Sequence, residues 1–93
     1  MTLLTDTEIE QRLAEHPDWR RDGNSIRRTL ELSSFPAAIA FVNRVAGLAE
    51  AADHHPDIDI RYRTVTLTLS THSAGGLTAK DLDLAGSIDR LSS

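Results

Sequence analysis

The chain has 93 residues, a formal net charge of −4 and no cysteine. This length predicts a single domain over residues 1–93, near the lower end of the sizes that bury a self-sufficient core, so self-association is expected. The lack of cysteine excludes a disulfide framework and thiol chemistry, and the acidic balance argues against a nucleic-acid partner.

The N-terminal segment predicts a short amphipathic helix over residues 5–16. Its acidic flank and lack of a long apolar run exclude a signal peptide and a membrane span, so we expect a cytoplasmic protein with no membrane partner. Thr5 or Thr7 can cap the helix, and Pro17 ends it. Trp19 follows, and we expect it to pack against the core at the start of a strand.

A first β-hairpin and a long helix come next. Asp22-Gly23-Asn24 predicts a turn, and residues 25–32 alternate between apolar and polar side chains. Ser33-Ser34-Phe35-Pro36 is typical of a helix start, and an apolar stripe beginning at Phe35 predicts a helix of about twenty residues. Gly47 within this helix suggests close packing against a neighbouring backbone.

The long helix runs into His54-His55-Pro56. Because a residue before proline avoids the α region, we expect His55 to be extended and His54 to close the last helical turn. Glu50, Asp53 and His54 have the spacing of one helix face, where a carboxylate can hold an imidazole. A histidine held in this way can give or take a proton near neutral pH. The alternative interpretation is a capped helix end with solvated histidines.

After the proline, the sequence predicts a second hairpin and a closing helix. Residues 57–61 and 64–70 alternate, with a bend at residues 62–63, and residues 72–76 form a loop. Residues 78–91 have helical spacing. The fold class is therefore α+β in the order α-β-β-α-β-β-α, with a four-stranded antiparallel sheet and three helices packed on one face.

Simpler interpretations exist for several polar residues. Thr78-Ala-Lys-Asp81 has the form of a capping box, which explains Asp81 without chemistry but does not prevent it from orienting a histidine. His54, His55, His72 and Asp81 are competent zinc ligands, but adjacent histidines at a helix end point apart and no His-x-x-x-His spacing is present, so no metal is expected. The arginine cluster Arg20-Arg21 and Arg27-Arg28 is more often a solvated face than a nucleic-acid site.

Polar residues and one proline in the second half of the chain form a spaced pattern: Glu50, three residues, His54-His55-Pro56, five residues, Tyr62, nine residues, His72, eight residues and Asp81. This pattern resembles the signature of the pterin-4a-carbinolamine dehydratases. Segments before, within and after this pattern also resemble the family: Arg44-Val-Ala, residues 66–72 and residues 76–85. The likeness extends from about Trp19 to Leu91 and is weaker in the first helix.

The resemblance implies an enzyme that removes water from 4a-hydroxytetrahydrobiopterin, the product of aromatic amino-acid hydroxylases, to give the quinonoid dihydropterin. It also implies a similar fold, a homodimer or homotetramer, a pterin substrate, no metal or organic cofactor, and a functional link to a hydroxylase. Members of the family also serve as transcriptional dimerisation partners or assembly factors. Since a fold alone does not imply an activity, a non-catalytic role is the alternative hypothesis.

The resemblance also implies which residues form the site. Those expected to be catalytic are His54, His55, His72 and Asp81, and those expected to contact the substrate are Glu50, Asp53, Pro56, Ser70, Thr71 and Ser73. We predict that His54 and His72 transfer protons, that His55 places the hydroxyl group, and that Asp81 or Glu50 orients an imidazole. Pro56 is expected to end the helix between His54 and His55, so that both face the pterin.

Overall fold

A computed structural model describes residues 2–92 of the chain. The elements are α1 (Asp6–Ala14), β1 (Arg20–Asp22), β2 (Ser25–Glu31), α2 (Phe35–Ala52), β3 (Asp57–Arg61), β4 (Thr64–Leu69), a short 3-10 turn (His72–Ala74) and α3 (Ala79–Leu91). This order confirms the predicted α+β fold class. None of the helices within residues 2–92 combines the length and apolar character that a bilayer crossing requires.

The helix starts follow the predicted capping residues. The Thr5 hydroxyl accepts a hydrogen bond from the Glu8 amide at 3.2 Å, and the Glu8 carboxylate accepts one from the Thr5 amide at 2.9 Å. The backbone hydrogen bond from Thr5, followed by that from its hydroxyl, holds the pKa of Glu8 below its usual value. At the start of α2 the Ser34 hydroxyl accepts from the Ala37 amide at 3.1 Å, which satisfies a free donor of the first turn.

The four strands form one antiparallel sheet in the order β1-β2-β4-β3. The two central strands pair with Ile26 opposite Leu69 and Leu30 opposite Val65. These side chains and Leu67 point to the buried face, as the alternation in β4 predicts. The core therefore lies between this face and the helices.

The buried stripe of α2 differs from the predicted one. Phe35 is 47% exposed, whereas Ala38, Phe41, Val45 and Ala49 are buried. The stripe therefore begins one turn later than predicted, because Ala38 and Phe41 take the inward positions of the first turns. The predicted close packing at Gly47 is also wrong, since a Cβ atom placed there would have no neighbour within 4 Å.

The arginine cluster of the first hairpin is largely matched by carboxylates. Arg21 pairs with Asp6 at 2.9 Å, and Arg27 pairs with Asp22 at 3.2 Å. Arg28 lies on the inward face of β2 and takes its partner from α3, as described next.

Asp89 near the end of α3 connects three parts of the fold. Its Oδ1 accepts hydrogen bonds from the Trp19 indole at 2.8 Å and from Arg28 at 2.5 Å, and its Oδ2 lies 3.1 Å from Nδ1 of His16. Trp19 is 3% exposed, which confirms its predicted place in the core. Since a buried indole N–H requires an acceptor, Asp89 fixes α3 to β2 and to the segment that follows α1.

We expect Asp89→Ala to lower the free energy of unfolding by about 2–4 kcal/mol, because it leaves a buried indole donor and a mostly buried guanidinium without their acceptor. Urea denaturation followed by tryptophan fluorescence measures this loss. The matched control is Asp83→Ala, which removes an exposed ion pair with Arg12 and should cost less than about 1 kcal/mol. Equal losses in the two variants would contradict the role given to Asp89.

Candidate active site

Helix α2 ends at Ala52, and the next residue turns the chain. Asp53 adopts a left-handed conformation with φ 50° and ψ 43°. Its amide donates to the Glu50 carbonyl at 3.2 Å, and the His54 amide donates to the Ala49 carbonyl at 3.0 Å. This pair of bonds is a Schellman motif, which usually has glycine at the left-handed position.

Two predictions about this segment are therefore wrong. His54 does not close the last helical turn, and Pro56 does not end the helix between His54 and His55. Both histidines lie after the helix, in the connection to β3. The physical reason is that Asp53, in its left-handed conformation, ends α2 three residues before Pro56. Asp53 therefore sets the direction in which the two histidines point.

His54 is held by a buried carboxylate at the start of α3. Its Nε2 lies 2.5 Å from Oδ1 of Asp81, a residue in the first turn of α3. Asp81 is fully buried and His54 is 9% exposed. In so dry an environment the bond is strong, and loss of either partner would leave a buried polar group unpaired.

Two threonines complete the surroundings of Asp81. Its Oδ2 accepts from the Thr71 hydroxyl at 2.8 Å and from the Thr78 amide at 3.0 Å. The Thr71 and Thr78 hydroxyl groups lie 2.8 Å from one another. The contact with the Thr78 amide is the one that the predicted capping box requires of Asp81, so the same carboxylate serves the helix entry and the histidine.

This network determines which nitrogen of His54 carries hydrogen. A carboxylate can only accept, so Nε2 of His54 is the donor and Nδ1 of the neutral ring has a free lone pair. Nδ1 has no hydrogen-bond partner within residues 2–92, and no side-chain nitrogen or oxygen in that part of the chain is buried without a partner. Solvent therefore reaches Nδ1, which is the nitrogen able to exchange a proton with a ligand.

The carboxylate of Glu50 holds His55 and not His54. Oε1 of Glu50 lies 2.7 Å from Nε2 of His55, and both side chains are exposed. The predicted pairing of Glu50 and Asp53 with His54 on one helix face is wrong, because the left-handed turn carries His54 off the helix and toward Asp81.

A cleft of about 440 Å³ brings the three histidines together. Its lining residues are Asp53, His54, His55, Ser70, Thr71, His72, Ser73 and Lys80. His72 is exposed and its side chain has no hydrogen bond within residues 2–92. Of the other predicted site residues, Asp81 lies behind His54, Glu50 contacts His55, and the half-buried Pro56 does not line the cleft.

The hydroxyl groups of the cleft differ in their freedom to bind a ligand. Thr71 is 4% exposed and its hydroxyl points to Asp81, so it supports the site from behind. Ser70 donates to the Asn24 carbonyl at 2.7 Å, which ties the cleft to the first hairpin turn. Ser73 is exposed and has no such partner among the described residues.

Sequence reasoning missed Lys80, which lines the cleft one residue before Asp81. A signal was available, because Lys80 is the only lysine of the chain.

As for metals, no group of three or more His, Cys, Asp or Glu side chains in the described part of the chain is arranged to hold an ion.

Comparison with known proteins places this geometry in a family. The model of the pterin 4 alpha carbinolamine dehydratase family matches residues 2–91. The chain belongs to this family. A Roseiflexus castenholzii protein named "Putative pterin-4-alpha-carbinolamine dehydratase" is 66% identical over 89 residues, 96% of each chain. A Nocardia farcinica protein of the same name is 64% identical over 89 residues, covering 96% of this chain and 94% of that one.

Solved structures share the dehydratase fold. A transcriptional coactivator/pterin dehydratase from Brucella melitensis superposes with a TM-score of 0.94 at 30% identity, covering 99% of this chain and 100% of that one. A pterin dehydratase-like protein described as a RuBisCO assembly factor in the alpha-carboxysome has a TM-score of 0.69 at 24% identity, covering 81% of this chain and 89% of that one. The second likeness shows the fold alone.

The left-handed turn before the histidines can be tested by substitution at Asp53. We expect Asp53→Val to lower the free energy of unfolding by about 1–2 kcal/mol, since a β-branched residue is strained at positive φ. Asp53→Gly should be as stable as the parent or slightly more stable, because glycine adopts this conformation without strain. Urea denaturation gives both values, and equal stability of the two variants would contradict the role of the turn.

Proposed function

We propose that the chain catalyses the dehydration of pterin-4a-carbinolamine by histidine general acid–base catalysis. The observation that carries this proposal is the buried Asp81 carboxylate bound to His54 in a cleft that also contains His55 and His72. Membership of the dehydratase family and relatives at 64% and 66% identity support the same reaction. The cleft volume, about 440 Å³, lies within the range of small-molecule sites.

The reaction requires two proton transfers. The proton on pterin N5 leaves, the C4a–OH bond breaks, the hydroxyl group departs as water after protonation, and a C4a=N5 double bond forms. The site therefore needs one group that accepts the proton from N5 and one that donates a proton to the hydroxyl group on C4a.

His54 is suited to accept a proton at Nδ1. The Asp81 carboxylate fixes the ring through Nε2–H, and it stabilises the imidazolium that forms when Nδ1 takes the proton. The supporting Thr71 hydroxyl and Thr78 amide restrain the carboxylate, so the ring is held in one orientation before the substrate arrives.

His72 is the partner that we assign to the departing hydroxyl group. Its side chain is free of hydrogen bonds within residues 2–92 and lines the same cleft. His55 is oriented by Glu50 at the exposed rim, where it can donate a hydrogen bond to the hydroxyl group or to the water that it becomes. Asp53 and Ser73 offer the remaining polar contacts to the pterin ring.

The wider context of the activity is part of the proposal. We propose a cytoplasmic homodimer or homotetramer that restores the pterin used by an aromatic amino-acid hydroxylase. The small size of the chain and its lack of cysteine support this setting.

A non-catalytic assembly or coactivator role is the competing hypothesis. Its support is that proteins with this fold are described as a transcriptional coactivator/pterin dehydratase and as a RuBisCO assembly factor. A purely structural role gives no reason for a buried carboxylate to orient a histidine toward a cleft, and for this reason we favour the enzyme.

We expect His54→Ala to lower kcat about 100-fold and His72→Ala about 10- to 100-fold, because each removes one proton-transfer group. The assay generates the carbinolamine with a hydroxylase and follows its decay by ultraviolet absorbance, with the uncatalysed rate subtracted. His16, which is half-buried and lies outside the cleft, provides the control variant His16→Ala. No acceleration by the wild-type chain, or full activity in a variant that carries both His54→Ala and His72→Ala, would refute the mechanism.

We expect Asp81→Asn to lower kcat about 100-fold or more by changing the tautomer of His54. If the asparagine oxygen accepts from Thr71 and Thr78, its NH₂ group faces Nε2 of His54 and forces the ring hydrogen onto Nδ1. The ¹⁵N chemical shifts of His54 report this exchange directly, independently of activity. Glu50→Gln is the matched control at the exposed histidine, and the proposal fails if the His54 tautomer is the same in Asp81→Asn as in the wild type.

A further inference from the structure

A second concavity adjoins the histidine cleft. It is a groove of about 420 Å³ between α2 and α3, with apolar walls formed by Leu48, Ala51, Ala52 and Leu84. His54 and Lys80 line both the groove and the cleft. A ligand in the cleft that extends past these two side chains therefore enters the groove.

The unmatched charge at the junction is positive. Lys80 is exposed and has no hydrogen bond or ion pair within residues 2–92. Asp83, the acidic residue of the groove, is paired with Arg12 at 2.7 Å. Asp53 lines the cleft but not the groove. Since Lys80 also stands in the first turn of α3, the partial positive charge of the helix start adds to its own.

We propose that Lys80 determines specificity for the substituent at C6 of the pterin. The apolar part of that substituent lies in the groove between α2 and α3, and its anionic group pairs with the Lys80 ammonium. The ligand class is a reduced pterin whose side chain combines an aromatic segment with a carboxylate. This inference rests on the proposed function, because the pterin ring must occupy the histidine cleft.

The apolar walls favour this class over a pterin with a short neutral side chain. A dihydroxypropyl group would place hydroxyls against leucine and alanine side chains, and the polar residues Asp83 and Ser87 of the groove already bind Arg12 and Arg90. An aromatic segment buries apolar surface there, and a carboxylate beside Lys80 gains a charge-assisted hydrogen bond.

The first experiment compares the Kd values of 7,8-dihydrofolate and 7,8-dihydrobiopterin by titration calorimetry. We expect the wild-type chain to bind dihydrofolate more tightly. Lys80→Gln should reduce this preference about fivefold, and Lys80→Arg should restore it, because the effect depends on the positive charge. The ratio of the two Kd values is the readout, so a substitution that weakens the binding of both pterins equally does not alter the result. An unchanged ratio in Lys80→Gln overturns the inference.

The second experiment tests the groove itself. Ala51→Phe places a ring in the groove and should weaken dihydrofolate more than dihydrobiopterin. Ala46→Phe, at an exposed position of α2 that lines neither concavity, is the matched control and should leave the ratio unchanged. Equal ratios in the two variants would show that the substituent does not lie in the groove.

The single lysine allows a third measurement without substitution. Acylation of Lys80 by an amine reagent can be followed by mass spectrometry, with an added lysine-containing peptide as reference. We expect dihydrofolate at saturation to slow acylation of Lys80 more than dihydrobiopterin does. Equal protection, or failure of dihydrofolate alone to bind, overturns the role of Lys80 while leaving the proposed function intact, whereas failure of both pterins to bind overturns the inference and the proposed function.

Discussion

The hydrogen bond between His54 and the fully buried Asp81 is the interaction on which the site depends. It joins residues that are 27 positions apart in sequence and brings the start of α3 against the segment that follows α2. A buried carboxylate is stable only when its lone pairs are satisfied, and here His54, Thr71 and Thr78 satisfy them. The chemistry of the site and the stability of the helix entry therefore rest on one side chain.

The two ends of α3 have different roles in the structure. At its start, the buried Asp81 lies behind the cleft and holds His54, the residue that we propose as the proton acceptor. At its end, Asp89 binds Trp19 and Arg28 and anchors the helix to the sheet. Because Trp19 and Arg28 bind Asp89 outside the cleft, the contacts of Asp81 are not the only ones that attach α3 to the rest of the fold. The fold thereby holds His54 in place through rigid elements, which is what an oriented catalytic group requires.

Sequence reasoning predicted the fold and most of the residues that line the cleft, but not all of the hydrogen bonds between them. The element order followed from periodicity and capping residues, which are local signals, and the spaced histidines indicated the cleft. The pairing of Glu50 with His55 could not be predicted, because it depends on a left-handed residue at Asp53, and an aspartate does not require that conformation. Lys80 was missed for a different reason, since only the packing of α2 against α3 places it beside His54. A local backbone conformation decided the first outcome and long-range packing decided the second.

The left-handed turn also explains why two adjacent histidines can serve different roles. An extended chain would point neighbouring side chains to opposite faces, and a helix would separate them by about 100°. The turn at Asp53 instead directs His54 inward to a buried carboxylate and leaves His55 at the rim with an exposed one. The Nε2 edge of the His54 ring is thus fixed by a buried carboxylate, while His55 lies in contact with water. The dehydration that we propose takes a proton from the ring nitrogen and releases water from the neighbouring carbon, and it uses this asymmetry because the proposed proton acceptor is held still while the product leaves through solvent.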